Sequence, residues 1–191
     1  MRPRQATLGD WAAIEPTAEG CDYFPTPAAA VRALLDACPP PPGPVLEPSA
    51  GEGHIVRELV AAGYPVEAVE LRQECRGALI AAGAHAVEIA DWLSVAAHKR
   101  PGSIVGNPPF SAALEHVEAC LGTGAGYVAL LLRLGFLASQ RRAEFHARHP
   151  VSALYPLARR PSFSGDGKTD QYDVAWFVWR KDWGPMRYRV I

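Results

Sequence analysis

The sequence has few of the features that mark exported, membrane-spanning or zinc-binding proteins. Its four cysteines, Cys21, Cys38, Cys75 and Cys120, are scattered, and none belongs to a C-x-x-C pair. Scattered cysteines are typical of free thiols in a reducing compartment and argue against a metal site. No apolar run approaches the roughly 20 residues that span a bilayer, and the N-terminus lacks the apolar core of a signal peptide. The sequence therefore predicts a cytoplasmic protein that binds no metal and enters no membrane.

Charge is nearly balanced over the whole chain but is unevenly distributed along it. The formal net charge is −1 at pH 7. Residues 1–133 carry 9 Lys and Arg against 15 Asp and Glu, whereas residues 134–191 carry 10 against 5. A basic C-terminal part is either an ordinary solvated surface or a face that contacts nucleic acid. The 49% hydrophobic and 20% charged content is ordinary for a globular protein, which argues against general disorder.

A proline-rich linker, CPPPPGP at residues 38–44, divides the chain. Before the linker, Thr26 is the expected N-cap of a helix and Pro27 its first residue. The length of 191 residues fits one domain. We therefore expect residues 1–43 to form an N-terminal segment and residues 44–191 to form the core of the same domain.

After the linker, strand patterns alternate with helix patterns. The seven predicted strands cover residues 44–49, 64–71, 84–90, 102–107, 126–134, 151–157 and 173–180. Alternation of this kind predicts the α/β class, with a Rossmann-like, doubly wound, mostly parallel sheet. No helix pattern separates the last two strands, so we expect a late antiparallel strand. Ser111 is the predicted N-cap of the helix after the fourth strand, and ligands of such sheets bind at the carboxyl ends of the strands.

Three strand ends carry residues that suit a nucleoside ligand. The turn LEPSAGEGHI puts Gly51 and Gly53 between the first strand and its helix, where a ligand can approach the backbone closely. Glu70 ends the second strand, where a carboxylate can accept both hydroxyl hydrogens of a ribose. Asp91 ends the third strand and can accept a hydrogen bond from an adenine amine, while Trp92 beside it can cover the ring. Together these ends predict an adenosine-bearing ligand.

The fourth strand runs into the motif Asn107-Pro108-Pro109-Phe110. Asn107 offers a side-chain acceptor and Pro108 a backbone carbonyl, while the prolines remove competing donors. The motif is either a proline turn that ends the strand over a core Phe110, or a site that holds a flat ring bearing an amine. In the second case two acceptors and a stacking ring orient the amine for attack.

These motifs and their order resemble those of S-adenosylmethionine-dependent amino-methyltransferases, in particular the bacterial and phage DNA adenine methyltransferases. The matching segments are YFPTP (23–27), EPSAGEG (47–53), Glu70, Asp91, NPPF (107–110) and the late segment RPSFSGDGKTDQYDVAWFVW (160–179). The resemblance implies the class I methyltransferase fold, with S-adenosylmethionine as cofactor. It also implies methyl transfer to the N6 amine of adenine in DNA, by direct displacement on a base flipped out of the duplex.

The resemblance further implies a role for each matching residue. The cofactor would contact Phe24, Pro25, Thr26, Glu47, Pro48, Ser49, Gly51, Gly53, Glu70, Asp91 and Trp92. The target base would meet Asn107, Pro108, Pro109 and Phe110, and it would stack on the phenylalanine ring. The late loop would lie beside the flipped base and contact nucleic acid through Arg159, Arg160, Ser164 and Lys168.

The choice of substrate stays open at the level of sequence. Many DNA enzymes of this family carry a separate target-recognition domain, and we expect none here. The alternatives are a short or loosely defined recognition sequence, help from a partner or a dimer, or RNA as substrate. Related enzymes with this motif also methylate RNA adenine, the cytosine amine or a protein glutamine, and Phe110 in place of Tyr favours adenine. An alternative of another class is a non-catalytic module that keeps the fold and binds nucleic acid.

Overall fold

A computed structural model of the protein describes residues 24–158, 173–184 and 186. The strands are β1 (Val45–Pro48), β2 (Val66–Glu70), β3 (Ala86–Ile89), β4 (Ser103–Gly106), β5 (Tyr127–Arg133), β6 (Ala153–Pro156) and β7 (Val174–Arg180). The helices are α1 (Ala28–Ala37), α2 (His54–Ala61), α3 (Arg76–Ala81), α4 (Trp92–Val95), α5 (Ala113–Gly122) and α6 (Gln140–Arg148). All seven predicted strands are therefore present.

The seven strands form one sheet in the order β3-β2-β1-β4-β5-β7-β6. Strands β1 to β5 are parallel, and β7 is antiparallel to both of its neighbours. The predicted Rossmann-like, mostly parallel sheet with a late antiparallel strand is confirmed. On one side of β1 the sheet continues through β2 to β3, and on the opposite side it continues from β4 through β5 to β7 and β6. A reversal of this kind opens a crevice at the carboxyl ends of the two central strands.

Helices cover both faces of the sheet, as the contacts of β5 show. Ala129 and Leu131 pack with residues of α1, α2 and α3, whereas Leu130 and Leu132 pack with residues of α5. Successive side chains of a strand point to opposite faces, so one apolar run supplies two hydrophobic clusters. The continuous apolar sequence of β5 therefore follows from its burial on both faces.

The predicted cap of α1 is wrong. The helix begins at Ala28, and its N-cap is Pro27, whose ψ of 140° is extended. Thr26 does not cap the helix because its hydroxyl oxygen accepts a hydrogen bond from Asn107 Nδ2 at 3.0 Å. A contact with a residue far along the chain has thus replaced a local capping bond.

The predicted cap of α5 is also wrong. Ser111 lies inside a 3-10 turn, Phe110–Ala112, and the α-helix begins only at Ala113. The short helix α4 was not predicted. It follows Asp91, whose carboxylate accepts hydrogen bonds from the Leu93 backbone N–H and the Ser94 hydroxyl.

Candidate functional site

A cleft lies at the carboxyl ends of β1 to β4, where the sheet topology predicts a ligand site. The predicted cofactor and target-base residues that line it are Phe24, Pro25, Thr26, Glu47, Ser49, Glu70, Asp91, Trp92, Asn107 and Pro109. The others, Pro48, Gly51, Gly53, Pro108 and Phe110, lie behind or beside this lining. Segments that are far apart in the chain therefore meet at one edge of the sheet.

The glycine turn after β1 has an unusual backbone. Ser49, Gly51 and Gly53 all have positive φ, at 59°, 57° and 79°. Glycine adopts this conformation at little cost, whereas a serine there is strained. The Gly51 N–H donates to Glu70 Oε2 at 2.6 Å, which fixes the turn against the end of β2. A strained residue held in this way at a ligand cleft is typical of a functional turn.

Two of the predicted cofactor residues, Gly53 and Pro48, also have a packing role. A Cβ atom on Gly53 would lie 2.8 Å from Ala82 Cβ and 3.3 Å from a Leu79 methyl group, so the absence of a side chain lets α2 approach α3. Pro48 packs across the sheet on Gly106, where an added Cβ would lie 3.1 Å from the proline ring.

Glu70 is the most heavily bonded acid of the cleft. Its carboxylate accepts from the Gly51 N–H, from the Arg72 N–H at 3.0 Å and from Arg72 Nε at 2.9 Å. A carboxylate offers about four lone-pair sites, so these three donors leave room for about one more. Glu70 can therefore accept both hydroxyls of a ribose only if one present donor gives way.

Asp91 also lines the cleft, directly before the start of α4. Its carboxylate caps α4, and Trp92 beside it is buried. Leu71 also lines the cleft and is 67% exposed, so an apolar wall is available to a bound ring. Sequence reasoning missed Leu71, although its position directly after the acid that ends β2 was the signal that could have found it.

Glu47 is a deeply buried acid at the end of β1. Only 2% of the residue is exposed, and Oε2 has no hydrogen-bond partner among the described residues. Burial raises the pKa of this carboxyl well above its usual value, and the nearby Glu70 raises it further. The Val56 backbone N–H opposes both effects through a hydrogen bond from the first turn of α2. An unsatisfied buried carboxylate oxygen is costly, so a donor in the ligand would stabilise it.

The amide of Asn107 has a fixed orientation. Nδ2 donates to the Phe24 carbonyl oxygen at 2.9 Å and to the Thr26 hydroxyl oxygen at 3.0 Å. A backbone carbonyl can only accept a hydrogen bond, so the nitrogen must point toward it. Oδ1 therefore points the other way, where it is buried and has no partner within the described part of the chain. The site holds a free acceptor suited to an incoming N–H group.

Phe110 is already in contact with two other side chains. The Phe24 ring stacks on it at a centroid distance of 5.2 Å and an interplanar angle of 23°. The Arg133 guanidinium carbon lies over the ring, 4.6 Å from its centroid. Phe110 also lines a separate cavity together with Arg133 and Asp173. A base that stacks on Phe110 would therefore compete with Phe24 and Arg133 for the ring.

Two histidines, predicted to be ordinary helix residues, do lie in helices but also line the cleft. His54 begins α2 next to the glycine turn. His116 lies on the buried face of α5, where its Nδ1 donates to the Ala112 carbonyl oxygen at 3.0 Å and burial lowers its pKa. No group of His, Cys, Asp and Glu side chains that could hold a metal ion occurs within residues 24–158 and 173–184.

The predicted nucleic-acid residues Arg159, Arg160, Ser164 and Lys168 lie outside the described residues. The attachment points of their segment are nevertheless defined. Strand β6 ends where it pairs with the start of β7, and the start of β7 pairs with Arg133 at the end of β5. The segment between β6 and β7 is therefore anchored at the carboxyl edge of β5. Across the described ranges, no helix combines the length and apolarity required to span a membrane.

No protein-family model and no curated protein sequence matches this chain, but many solved structures match its fold. A proposed RNA methyltransferase from Pyrococcus horikoshii is 17% identical, with a TM-score of 0.67 over 81% of this chain and 84% of that one. The glycopeptide N-methyltransferase MtfA, solved with S-adenosyl-L-methionine, is 18% identical, with a TM-score of 0.58 over 86% and 99%. The fold is the class I methyltransferase fold.

A third structure with this fold belongs to a restriction system. It is a modification subunit of a proposed type I restriction enzyme from Vibrio vulnificus YJ016, and it is 14% identical to this chain. The TM-score is 0.61, and the match covers 82% of this chain and 44% of that one. At such identities the likeness establishes the fold alone, because one fold hosts many substrates.

Proposed function

We propose that the chain transfers a methyl group from S-adenosylmethionine to the N6 amine of adenine in DNA. The observation that carries this proposal is the Asn107 amide, whose Oδ1 is a buried acceptor with no partner among the described residues. A buried acceptor of this kind is stabilised by an amine of the substrate. It also lies in the same cleft as the acids at the ends of β2 and β3.

The cleft supports S-adenosylmethionine as the cofactor. Glu70 would accept a ribose hydroxyl, Asp91 would accept from the adenine amine, and Trp92 and Leu71 would cover the adenine ring. The Phe24–Thr26 segment and the glycine turn would hold the methionine part. The fold match to MtfA in complex with this cofactor adds support. When bound, S-adenosylmethionine supplies a methyl group activated by a sulfonium.

The Asn-Pro-Pro-Phe motif would orient the target amine. Asn107 Oδ1 and the Pro108 carbonyl would accept its two hydrogens, which directs the nitrogen lone pair toward the methyl group and requires no base before attack. Phe110 would stack on the base after Phe24 or Arg133 has moved aside. Displacement of Arg133 is the smaller change, since Phe24 is also held by its backbone bond to Asn107.

The basic C-terminal part of the chain favours nucleic acid as the substrate, and we propose DNA over RNA. The basic segment with Arg159, Arg160 and Lys168 is anchored at the edge where the cleft opens, and these cations would meet phosphates while Ser164 lies beside the base. A flipped adenine needs such a neighbouring surface. Phe110 after the prolines favours adenine as the target base, and the choice of DNA over RNA rests on the resemblance of the motifs to DNA adenine methyltransferases. We also propose a single-domain enzyme of the cytoplasm.

The proposal is tested by incubating the protein and tritiated S-adenosylmethionine with separate pools of DNA, RNA and protein. We expect label in DNA, recovered as N6-methyladenine after digestion to nucleosides. Label in RNA adenine or in a protein glutamine would keep the chemistry but replace the substrate. Cofactor binding without label in any pool would favour the non-catalytic nucleic-acid-binding module.

A further inference from the structure

Arg133 stacks on the same ring that the proposed mechanism assigns to the target base. Its guanidinium carbon lies over the Phe110 ring, 4.6 Å from the centroid. A guanidinium is planar and packs against aromatic faces, as a nucleobase does. Arg133 is half-buried and is the last residue of β5, at the carboxyl edge of the sheet. This side chain therefore makes the kind of contact that a flipped base needs from Phe110.

Of the two side chains in contact with the ring, Arg133 can be exchanged at the smaller cost. Phe24 packs against the hydrophobic cluster beneath it, and its carbonyl oxygen accepts from Asn107 Nδ2 at 2.9 Å. Arg133 has a flexible stem of three methylenes. Its head can leave the ring while its backbone stays paired with Val174 of β7. We therefore expect an incoming base to replace the guanidinium and to leave Phe24 in place.

A cavity beside Phe110 can receive the displaced guanidinium. Its volume is about 470 Å³, and the charged residues in its lining are Arg133, Arg142 and Asp173. Arg142 is held in place, because its Nη2 donates to two backbone carbonyl oxygens at 2.8 and 2.6 Å. Two guanidinium groups against one carboxylate give this lining a net positive charge, which suits an anion.

We infer that the target base replaces Arg133 on the Phe110 ring, and that the released guanidinium binds the phosphate of the same nucleotide in the adjacent cavity. One sugar joins the base to that phosphate, so a base stacked on Phe110 carries its phosphate toward the cavity. A guanidinium can bind a phosphate through two parallel hydrogen bonds. Arg133 thereby favours a nucleotide within a strand over free adenine, which has no phosphate. The inference rests on the proposed function, since it takes a nucleic-acid base as the substrate.

The test is kcat/KM for methyl transfer to DNA at several salt concentrations, for the parent protein, Arg133→Ala and Arg133→Lys. In Arg133→Ala the slope of log kcat/KM against log salt is expected to fall by about 0.9, the value of one lost phosphate contact. Arg133→Lys keeps the positive charge, so its slope is expected to stay close to that of the parent protein.

The lines for Arg133→Ala and the parent protein are expected to cross. At low salt the variant should be slower, because it lacks the phosphate contact. At high salt, where phosphate contacts are weakest, it should be faster by about 2- to 5-fold, because the base no longer has to displace a cation from the ring.

Arg180→Ala is the matched control. Arg180 also ends a strand, and its guanidinium carbon lies 4.6 Å from the centroid of the Trp183 ring, but it pairs with the first residue of β5 at the opposite edge of the sheet. Its salt slope should equal that of the parent protein. Arg133→Ala should bind S-adenosylmethionine as the parent does in calorimetry, because Arg133 does not line the cofactor cleft. Arg133→Met, which keeps the apolar stem, gives the same test if Arg133→Ala fails to bind the cofactor.

Two results would overturn the inference alone. One is a salt slope for Arg133→Ala equal to that of the parent protein, and the other is a rate below that of the parent at every salt concentration. The second result would assign Arg133 a structural role, since loss of a structural contact does not depend on salt in this way. Absence of methyl transfer to DNA by the parent protein would instead overturn the proposed function, and the inference with it.

Discussion

The nitrogen and the oxygen of the Asn107 amide have different roles. Nδ2 joins the strand end to the segment before α1 through Phe24 and Thr26, more than 80 residues away in the chain. That attachment decides which way the amide faces, and so leaves Oδ1 as a buried acceptor with no partner among the described residues. A proline-rich backbone next to it removes donors that would otherwise compete for this oxygen.

Asn107→Ala is expected to lower methyl transfer about 100-fold or more, because one preorganised polar contact to the reacting group is lost. Binding of S-adenosylmethionine, measured by calorimetry, should stay close to that of the parent protein. Thr26→Val is the matched control at saturating S-adenosylmethionine, since it removes one partner of Nδ2 and keeps Oδ1, and saturation offsets the loss of the proposed Thr26 contact with the cofactor. We expect it to lower the rate far less, and equal losses in the two variants would assign Asn107 a structural role.

Glu47 is expected to make the stability of the folded protein depend on pH. Its pKa is raised by burial and by Glu70, while a hydrogen bond from the Val56 N–H opposes the rise. The folded protein therefore holds this proton more tightly than the unfolded chain. Above the ordinary carboxyl pKa of 4.5, stability is lost as pH rises toward the folded-state pKa. Glu47→Gln should gain stability relative to the parent over this window in urea unfolding, and parallel curves for the two proteins would contradict the expectation.

At the scale of elements, α2 and α3 approach each other where Gly53 has no side chain. Gly53→Ala combines a positive φ of 79° with a Cβ 2.8 Å from Ala82 Cβ. We expect the free energy of unfolding to fall by about 2–4 kcal/mol, from backbone strain and overpacking together.

Gly63→Ala is the control for that substitution. Its φ of 91° is also positive, but nothing lies within 4 Å of an added Cβ. Gly63→Ala should lower the free energy of unfolding by backbone strain alone, about 1–2 kcal/mol, as measured by urea unfolding. Equal losses of unfolding free energy in Gly53→Ala and Gly63→Ala would mean that α2 and α3 can move apart to accept the added Cβ without further loss of stability.

At the scale of the whole molecule, the sheet places the candidate site residues at the carboxyl ends of its parallel strands. The charged residues are distributed unevenly along the chain, with acidic residues in excess before residue 134 and basic residues in excess after it. The acidic ends of β1, β2 and β3 face the cleft, whereas the basic segment is anchored at β5 and β7. The proposed cofactor residues and the ends of the segment with the proposed nucleic-acid residues therefore lie at the same edge of the sheet.

Replacement of Arg159 and Arg160 by Ala is expected to weaken DNA binding and to reduce the slope of log affinity against log salt by about 2, since each lost phosphate contact removes about 0.9. Fluorescence anisotropy at several salt concentrations measures this slope. Arg100→Ala is the control, because this exposed arginine precedes β4 at the opposite edge of the sheet. An unchanged slope in the double variant would assign the DNA surface to another part of the protein.

The sequence by itself determined the seven strands, the late antiparallel strand and most of the strand-end residues that line the cleft. Periodicity, glycines and prolines act over a few residues, so they can be recognised without the fold. The same local logic failed at Thr26 and Ser111, because a distant contact and a 3-10 turn replaced the expected caps.

Only the tertiary structure decided which polar atoms face the cleft without a partner. The free Oδ1 of Asn107 depends on the bond of its amide nitrogen to Phe24. The contacts of the Phe110 ring likewise depend on Phe24 and Arg133. Side-chain orientation is set by contacts between segments that the fold brings together, and a linear pattern of residues carries no record of those contacts.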